Sequence, residues 1–494
     1  MATEERFDLV VVGGGAGGLS AARAGVRRGR RTALVQEGRL GGDCTFTGCV
    51  PSKTLIEAAA RGGTLAGAIS LVHEVIEQIA ATESAEVLAG EGVTVIEGRG
   101  RFVGARTLEA AGRLLRADRV VIATGSAPLV PPIPGLDTVP FHTNETVFDL
   151  ERPPTSMVVL GGGAIGCELA QAFCRLGVRT EIVEAVDRLL AREEPEASAA
   201  VAGALGKEGV VLHLGATVAR VRRRTRDEGV LLELVDGRTV EADQLLVATG
   251  RRPVTDGLDP RAGGVALDRR GAVATDRYLR TSAHGVYAIG DVTGRLAFTH
   301  AADEMGRLAV RNAFSPLRRR TFDARSIPVV TFTDPEVARV GPTESEVDGQ
   351  SARVACLPMR SVDRALAAQR TEGFVKLIAG PRPVLGNAGG GRLLGATVVS
   401  PRAGETIHEA ALAMRTGMFT GRLAQTVHAY PTWSLGLRQA AAQFFSEVDG
   451  RRARPVGSAP ASERPAGPAP SGHVLGERGD PGQAVEEEHA QGAQ

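Results

Sequence analysis

The sequence predicts an α/β protein with two Rossmann-like dinucleotide-binding modules and a C-terminal α+β domain. Two observations support this prediction. A short apolar strand leads into a glycine-rich turn and then a helix twice in the chain, and from about Ile327 the pattern changes to alternating strands followed by helices. The chain has 494 residues, a length that suits about three domains of roughly 150 residues each.

The first module begins with the apolar strand Leu9–Val12 and a glycine turn. Gly13, Gly15 and Gly18 stand where such turns need glycine: for the tight turn, for close approach of backbone to a pyrophosphate, and for packing of helix on strand. A helical segment and the strand Thr32–Gln36 complete the unit. The free N–H groups at the start of the helix are expected to bind a phosphate.

The second module repeats this arrangement. The strand Met157–Leu160 leads into a turn in which Gly161, Gly163 and Gly166 have the same spacing, and a second strand covers Arg179–Glu184. Two such units, each between a strand and a helix, predict two bound dinucleotides, one for each module.

Two further segments also match each other in the two modules. The strand and turn at 120–125 resemble those at 245–250, so Thr124, Gly125 and Gly250 are predicted to lie against the cofactors.

The residue expected to bind the adenosine ribose differs between the modules. Glu184 follows Gly161 by 23 residues. A carboxylate there binds ribose hydroxyls and repels a 2′-phosphate, which favours NAD(H) over NADP(H). The same spacing from Gly13 gives Gln36, and Glu37 comes one residue later. Either side chain could serve in the first module.

A close cysteine pair, Cys44 and Cys49, follows the first module. On a regular helix the two would be rotated by about 500° and would not share a face. They can form a disulfide only if Cys44 lies at a distorted helix start, where a thiolate is also favoured. Asp43 next to Cys44 should disfavour that thiolate. Lys53 lies one helical turn after Cys49.

The flanking residues Gly-Gly-Asp-Cys and Gly-Cys-Val-Pro-Ser-Lys resemble the redox-active helix of the class I pyridine nucleotide-disulfide oxidoreductases. This family includes dihydrolipoamide dehydrogenase, glutathione reductase and mercuric reductase. The resemblance implies FAD in the first module, NAD(H) in the second and a homodimer with its active site at the interface. It makes Cys49 the charge-transfer thiol and Cys44 the thiol that attacks substrate. Lys53 is expected to approach the flavin and to pair with Glu168.

The resemblance also assigns a second flavin motif and a dimerisation domain. Gly290 and Asp291 match the motif whose aspartate accepts a hydrogen bond from the ribityl chain. The helix after Thr299 is expected to direct its N-terminus at the flavin ring, with His300 in a structural role. The segments 331–338 and 373–378 look like the family's dimerisation domain.

The C-terminal catalytic pair of the family is missing. Family members place a histidine before a proline and a glutamate five residues after the histidine. Here Tyr430 and Leu435 take those positions, and His428 comes two residues too early. Since tyrosine is a poor base at neutral pH, efficient lipoamide or glutathione turnover is not expected. The chain also lacks the C-terminal cysteine pair with which mercuric reductases handle metal, so efficient mercury handling is not expected either.

Composition limits the classes of partner. Aromatic residues make up 4% and the net charge is +1, which argues against a nucleic-acid or membrane partner. Five cysteines favour a cytoplasmic protein over a secreted disulfide scaffold. Cys167 and Cys174 are expected in the core, and no cluster has zinc-ligand spacing.

The predicted parts are 1–150 and 277–322 for the FAD domain, 151–276 for the NAD(P) domain, 323–450 for the interface domain, and 451–494 for a disordered tail.

These features predict an FAD-dependent NAD(P)H oxidoreductase. Electrons would pass from NADH through FAD to a Cys44–Cys49 disulfide, and then to a small-molecule acceptor: a disulfide, a metal ion or a quinone. Two alternatives remain open. One is a dihydrolipoamide dehydrogenase that tolerates Tyr430, and the other is a flavin redox sensor with low turnover.

Overall fold

The first module is built on a seven-stranded sheet. The computed structural model describes residues 3–150, 152–224, 229–347, 351–382 and 384–458. A late strand, Val286–Ala288, pairs in parallel with the central strand Arg113–Ile122, so a segment beyond the second module completes this sheet. The other strands are, in sheet order, Val93–Glu97, Thr32–Gln36, Thr3–Val12, then Arg113–Ile122, Thr107–Ala110 and Arg101–Gly104. The helices of this module are Ala16–Val26, Gly42–Phe46, Cys49–Arg61, Leu65–Ala80, Ala85–Gly90 and Thr299–Phe314.

Burial explains the character of the central strands. Leu9, Val10 and Val11 are fully buried, as expected for a parallel sheet covered on both faces. Helix Ala16–Val26 packs closely on helix Thr299–Phe314. Gly306 allows this approach, since a Cβ atom there would lie 2.5 Å from the carbonyl oxygen of Gly17.

The second module has a four-stranded parallel sheet and a small antiparallel sheet. A short ladder between Ser126–Pro128 and Arg251–Pro253 joins the two modules. The parallel strands are, in order, Val211–Leu214, Arg179–Glu184, Ser156–Leu160 and Gln244–Val247. The helices are Ala164–Arg175 and Pro195–Lys207, and the antiparallel strands are Val218–Arg223, Val230–Leu234 and Thr239–Ala242.

The C-terminal domain is a six-stranded antiparallel sheet covered by helices. Its strands are, in order, Val329–Thr331, Glu336–Val340, Arg392–Ser400, Phe374–Gly380, Arg353–Pro358 and Arg454–Pro455. Its helices are Asp363–Ala367, Ala403–Arg415, Thr420–Gln425 and Leu435–Ala442. In the described ranges, no helix has the length and apolar character needed to cross a membrane.

The last strand corrects one prediction about the tail. Arg454–Pro455 pairs with Arg353–Pro358, and Arg454 forms an ion pair with Glu344 at 2.7 Å. The chain therefore remains part of the sheet beyond residue 450, so disorder does not begin at 451. The rest of the predicted tail, 459–494, lies outside the described residues.

Candidate redox-active site

The first glycine turn has the geometry of a phosphate cradle. Gly13 has a φ angle of +104°, and a Cβ atom there would lie 2.3 Å from the carbonyl oxygen of Ala123. A Cβ atom at Gly18 would lie 1.8 Å from the carbonyl oxygen of Gly13. At Gly15 the nearest atom would be 3.8 Å away. The outer two positions are therefore closed by the protein and the middle one is open, as a pyrophosphate requires.

The second turn repeats this pattern. A Cβ atom at Gly161 would lie 2.5 Å from the carbonyl oxygen of Ala248, and one at Gly166 would lie 2.0 Å from that of Gly161. At Gly163 no atom would lie within 4 Å. Both modules therefore present an open backbone surface at the start of a helix, and this surface fits a dinucleotide in each.

The side chains at the ends of the second strands are fixed on these turns. Glu184 Oε2 accepts a hydrogen bond from the Gly162 N–H at 2.5 Å. Gln36 Oε1 accepts one from the Gly14 N–H at the same distance. Glu37 instead forms an exposed ion pair with Arg99. Gln36 is thus the counterpart of Glu184, and Glu37 lies away from the turn.

Thr124, Gly125 and Gly250 lie where the modules meet. The Thr124 hydroxyl donates to the Val254 carbonyl at 2.6 Å, and the Gly250 carbonyl accepts from the Leu129 N–H at 2.9 Å. The Thr124 hydroxyl proton is therefore used within the protein, which leaves the oxygen of this hydroxyl as an acceptor and the backbone of the segment for a cofactor contact.

The second flavin motif is linked to the cysteine segment through Arg251. Asp291 Oδ2 accepts a hydrogen bond from the Ser126 hydroxyl at 2.6 Å. Arg251 donates to the same hydroxyl at 2.8 Å and forms an ion pair with Asp43. The guanidinium thus pairs with the carboxylate next to Cys44, which was expected to disfavour a thiolate there. Arg251 follows Gly250 directly, but no sequence pattern indicated its partners.

The cysteines lie on two helices rather than on one. Cys44 is inside the short helix Gly42–Phe46, and Cys49 is the first residue of the helix Cys49–Arg61. The predicted helix start at Cys44 is therefore wrong, because Thr47 and Gly48 interrupt the helix between the two cysteines. The side chain of Asn144 donates to the Thr47 carbonyl at 3.0 Å and holds this break.

The electrostatic environment distinguishes the two free thiols. A hydrogen bond from Cys44 lowers the pKa of Cys49 to about 6, helped by the Thr299 hydroxyl and the Lys53 charge and opposed by burial. The same hydrogen bond and burial raise the pKa of Cys44. The Thr299 hydroxyl lies 3.4 Å from Cys49 Sγ. These opposite shifts favour a thiolate at Cys49 and a thiol at Cys44 near neutral pH.

Lys53 and Glu168 form an ion pair between the modules. Lys53 Nζ lies 2.7 Å from Glu168 Oε2, and the Glu168 side chain is 5% exposed. Glu168 Oε1 accepts a hydrogen bond from the Phe332 N–H at 2.8 Å, and Lys53 Nζ lies 4.6 Å from the centre of the Phe332 ring. The expected contact between Lys53 and Glu168 is present, and Phe332 adds a partner that the sequence did not indicate.

The C-terminal segment presents a tyrosine to solvent and buries its histidine. Tyr430 is 71% exposed, and a hydrogen bond to Asp363 raises the pKa of its hydroxyl. Leu435 is buried. The His428 ring lies between Glu409 at 3.0 Å and the Thr426 carbonyl at 2.9 Å. His428 therefore does not take the place of the missing base.

The remaining cysteines and His300 have structural surroundings. Cys167, Cys174 and Cys356 pack in or against one hydrophobic core, and burial raises the pKa of all three thiols. His300 Nε2 lies 2.8 Å from the Pro328 carbonyl. The described part of the chain contains no group of three or more His, Cys, Asp or Glu residues that could hold a metal ion.

Comparison with known proteins gives consistent results. Residues 7–306 match the model of the pyridine nucleotide-disulphide oxidoreductase family, and residues 327–441 match its dimerisation domain. Mercuric reductase from Streptomyces lividans is 38% identical over 90% of this chain and 97% of its own length. Dihydrolipoyl dehydrogenase from Thermus scotoductus is 36% identical over 90% and 98%.

Solved structures agree with this assignment. The HOCl-induced flavoprotein disulfide reductase RclA from Escherichia coli has a TM-score of 0.81 and 30% identity, covering 88% of this chain and 99% of its own. A Cu(II) complex of RclA has a TM-score of 0.80 and 29% identity, covering 89% and 99%. The protein is an enzyme that binds FAD and NAD(P)H, and it carries a dimerisation domain. The chain therefore belongs to the class I pyridine nucleotide-disulfide oxidoreductase family.

Proposed function

We propose that this enzyme uses NADH to reduce a Cys44–Cys49 disulfide and passes the electrons to a thiol-binding metal ion. The observation that carries the proposal is a dithiol with a preformed Cys49 thiolate and no neighbouring acid–base pair, because Tyr430 and Leu435 replace it. FAD, when bound, supplies the two-electron couple between NADH and the disulfide.

The proton balance favours a metal ion over a disulfide substrate. Reduction of the Cys44–Cys49 disulfide takes up two electrons and one proton, which Cys44 keeps. Exchange with a disulfide substrate must also protonate the leaving thiol, and loss of the general acid–base group typically costs about 10²–10⁴-fold in rate. A metal ion binds thiolates by displacing protons and needs no such group. Reoxidation of the dithiol to the disulfide releases two electrons, enough to reduce two cupric ions to cuprous ions, and the Cys44 proton, which passes to solvent.

The relatives support this class of acceptor. Those named mercuric reductase match most of the chain, and RclA has been solved as a Cu(II) complex. Mercury in the first case and copper in the second are metals for which soft thiolate ligands are suited.

The other residues receive roles on the same basis. Lys53 would stabilise negative charge near Cys49, and Glu168 would orient Lys53. Tyr430, exposed on the domain that matches the dimerisation model, would reach the cysteines of the second subunit of a homodimer. The Glu184 carboxylate on the second turn favours NADH over NADPH. The cytoplasm stays our prediction for the location, from the use of cysteine.

A metal-dependent NADH oxidation assay tests the proposal. The purified holoenzyme is mixed anaerobically with NADH and chelated Cu(II) or Hg(II). Cys44→Ser and Cys49→Ser should both abolish the metal-dependent rate. Cys174→Ser, which removes a thiol elsewhere, should retain it. Wild-type enzyme without metal-dependent oxidation, or a Cys44→Ser variant with full activity, would reject the proposal.

Dihydrolipoamide oxidation is the second candidate function. The observation that favours it is the match to nearly the full length of the Thermus dihydrolipoyl dehydrogenase. An assay of NAD⁺-dependent dihydrolipoamide oxidation separates the two candidates, because Tyr430 should leave this reaction slow. If turnover with every acceptor is low, the redox-sensor alternative is favoured.

A further inference from the structure

One helix of the second module is attached to the C-terminal domain by three side chains on a single face. Glu168, Gln171 and Arg175 lie three and four residues apart on the helix Ala164–Arg175, so they share that face. All three bind the segment 332–334 of the C-terminal domain.

Gln171 makes a two-point contact with the backbone of this segment. Its Oε1 accepts a hydrogen bond from the Asp334 N–H at 2.7 Å, and its Nε2 donates to the Asp334 carbonyl at 3.0 Å. The Gln171 side chain also donates to Glu208 at 2.9 Å, and the residue is 4% exposed. Because Gln171 accepts one hydrogen bond from Asp334 and donates another to it, the two bonds fix both the position of the helix along the segment and its rotation about its own axis.

Arg175 adds an ionic contact at the end of the same face. Its guanidinium lies 2.9 Å from Asp334 Oδ2 and 2.6 Å from Glu208 Oε1. The other oxygen of Asp334 binds Arg370. Asp334 therefore receives two guanidinium groups, one from each of the two parts of the protein that it joins.

We infer that Gln171 and Arg175 are positioning residues of the redox site: by fixing this helix on the segment 332–334, they hold Glu168 on Lys53. The contact between Glu168 and Lys53 is sensitive to small movements, because the donor–acceptor distance of a hydrogen bond varies by only a few tenths of an ångström around about 3 Å. A displacement of the helix by about 1 Å would break the contact between Glu168 and Lys53. The inference gives a mechanism for the role of Lys53 in the proposed function and rests on that role.

The lysine content of the chain allows a direct test that does not use activity. The sequence has three lysines: Lys53, Lys207 and Lys376. Lys207 has a 71% exposed side chain and serves as an internal reference. Lys376 is 2% exposed and is held by Glu194 at 3.0 Å, so its labelling would report unfolding. Limited labelling of the FAD-loaded enzyme with an amine-reactive reagent, read by mass spectrometry, gives the ratio of Lys53 to Lys207.

The expected result is a selective increase in the labelling of Lys53. Replacing Glu168 by Gln should raise the ratio by about tenfold, the effect of losing one hydrogen bond to a charged group. The double substitution Gln171→Met with Arg175→Met should raise the labelling ratio nearly as far, with Lys376 still unlabelled. Added to Glu168→Gln, it should raise the ratio little further, because all three substitutions weaken the same contact between Glu168 and Lys53. Gln171→Met alone should give a smaller increase, and Arg175→Lys should stay near the wild-type ratio.

A matched control separates positioning from general loosening. Arg339 and Glu193 form an ion pair at 2.7 Å between the same two parts of the protein, without touching Glu168. Arg339→Met should leave the ratio unchanged. An unchanged ratio in the Gln171 and Arg175 variants, or an equal increase in Arg339→Met, would overturn the inference. Because no electron acceptor is used, this result is independent of whether the metal-dependent reaction is found.

Discussion

The hydrogen bond between the two cysteines gives the sharpest prediction. It is the largest cause of the lowered pKa of Cys49, about 6 against an ordinary value of 9.0. Cys44→Ser keeps a hydrogen-bond donor and Cys44→Ala removes it. A hydrogen bond to a charged group is worth about 1.5–3 kcal/mol, or about one to two pH units at about 1.4 kcal/mol per unit. The Cys49 midpoint should therefore lie near 6 in Cys44→Ser and at about 7–8 in Cys44→Ala.

The assay is a pH titration of each FAD-loaded variant, following the long-wavelength absorbance of a thiolate against oxidised flavin. The thiolate is present above the pKa, so the band should persist to lower pH in Cys44→Ser. At pH 7 the thiolate fraction would be roughly nine-tenths in that variant and between about one half and about one tenth in Cys44→Ala. Equal midpoints, or a lower midpoint in Cys44→Ala, would refute the assignment of Cys44 as the donor.

Three further predictions concern the C-terminal pair, the ribose-binding carboxylate and a buried glutamate of the C-terminal domain. Tyr430→His with Leu435→Glu should raise NAD⁺-dependent dihydrolipoamide turnover by about 10²-fold, whereas Tyr430→Phe should leave it low. Glu184→Gln should raise kcat/KM for NADPH relative to NADH by about tenfold, since the repelling carboxylate is removed; an unchanged ratio would contradict the ribose assignment. Burial raises the pKa of Glu336 from 4.5 to about 7. Unfolding measured in denaturant should therefore show stability falling as pH rises from about 4.5 to 7, by at most about 3 kcal/mol, and Glu336→Gln should remove that dependence.

Local patterns predicted the parts of the site that depend on local backbone. The glycine turns could be recognised because their spacing follows from one turn and one helix. The contact between Lys53 and Glu168, which are 115 residues apart, could be expected only from the resemblance to the family, in which a lysine and a glutamate at these motif positions pair. The choice between Gln36 and Glu37 needed the structure, because the strand places only Gln36 on the glycine turn.

Contacts between distant segments could not be predicted. Arg251 meets Asp43 across 208 residues, and Thr299 lies next to Cys49 across 250 residues. Neither residue stands at a spacing that indicates its partner. The break between the cysteines was also missed. A Cβ atom at Gly48 would lie 2.8 Å from the Asp43 carbonyl oxygen, so the chain turns back closely at a point where the sequence suggested only a distorted helix start at Cys44.

An anaerobic titration of the holoenzyme with NADH shows whether electrons reach the cysteine pair. With two electrons added per FAD, we expect a long-wavelength thiolate–flavin absorbance band in the wild-type enzyme and in Cys174→Ser. The same titration of Cys49→Ser should bleach the flavin without that band. Direct bleaching of the wild-type flavin with no band would contradict the account, because the electrons would then bypass Cys44 and Cys49.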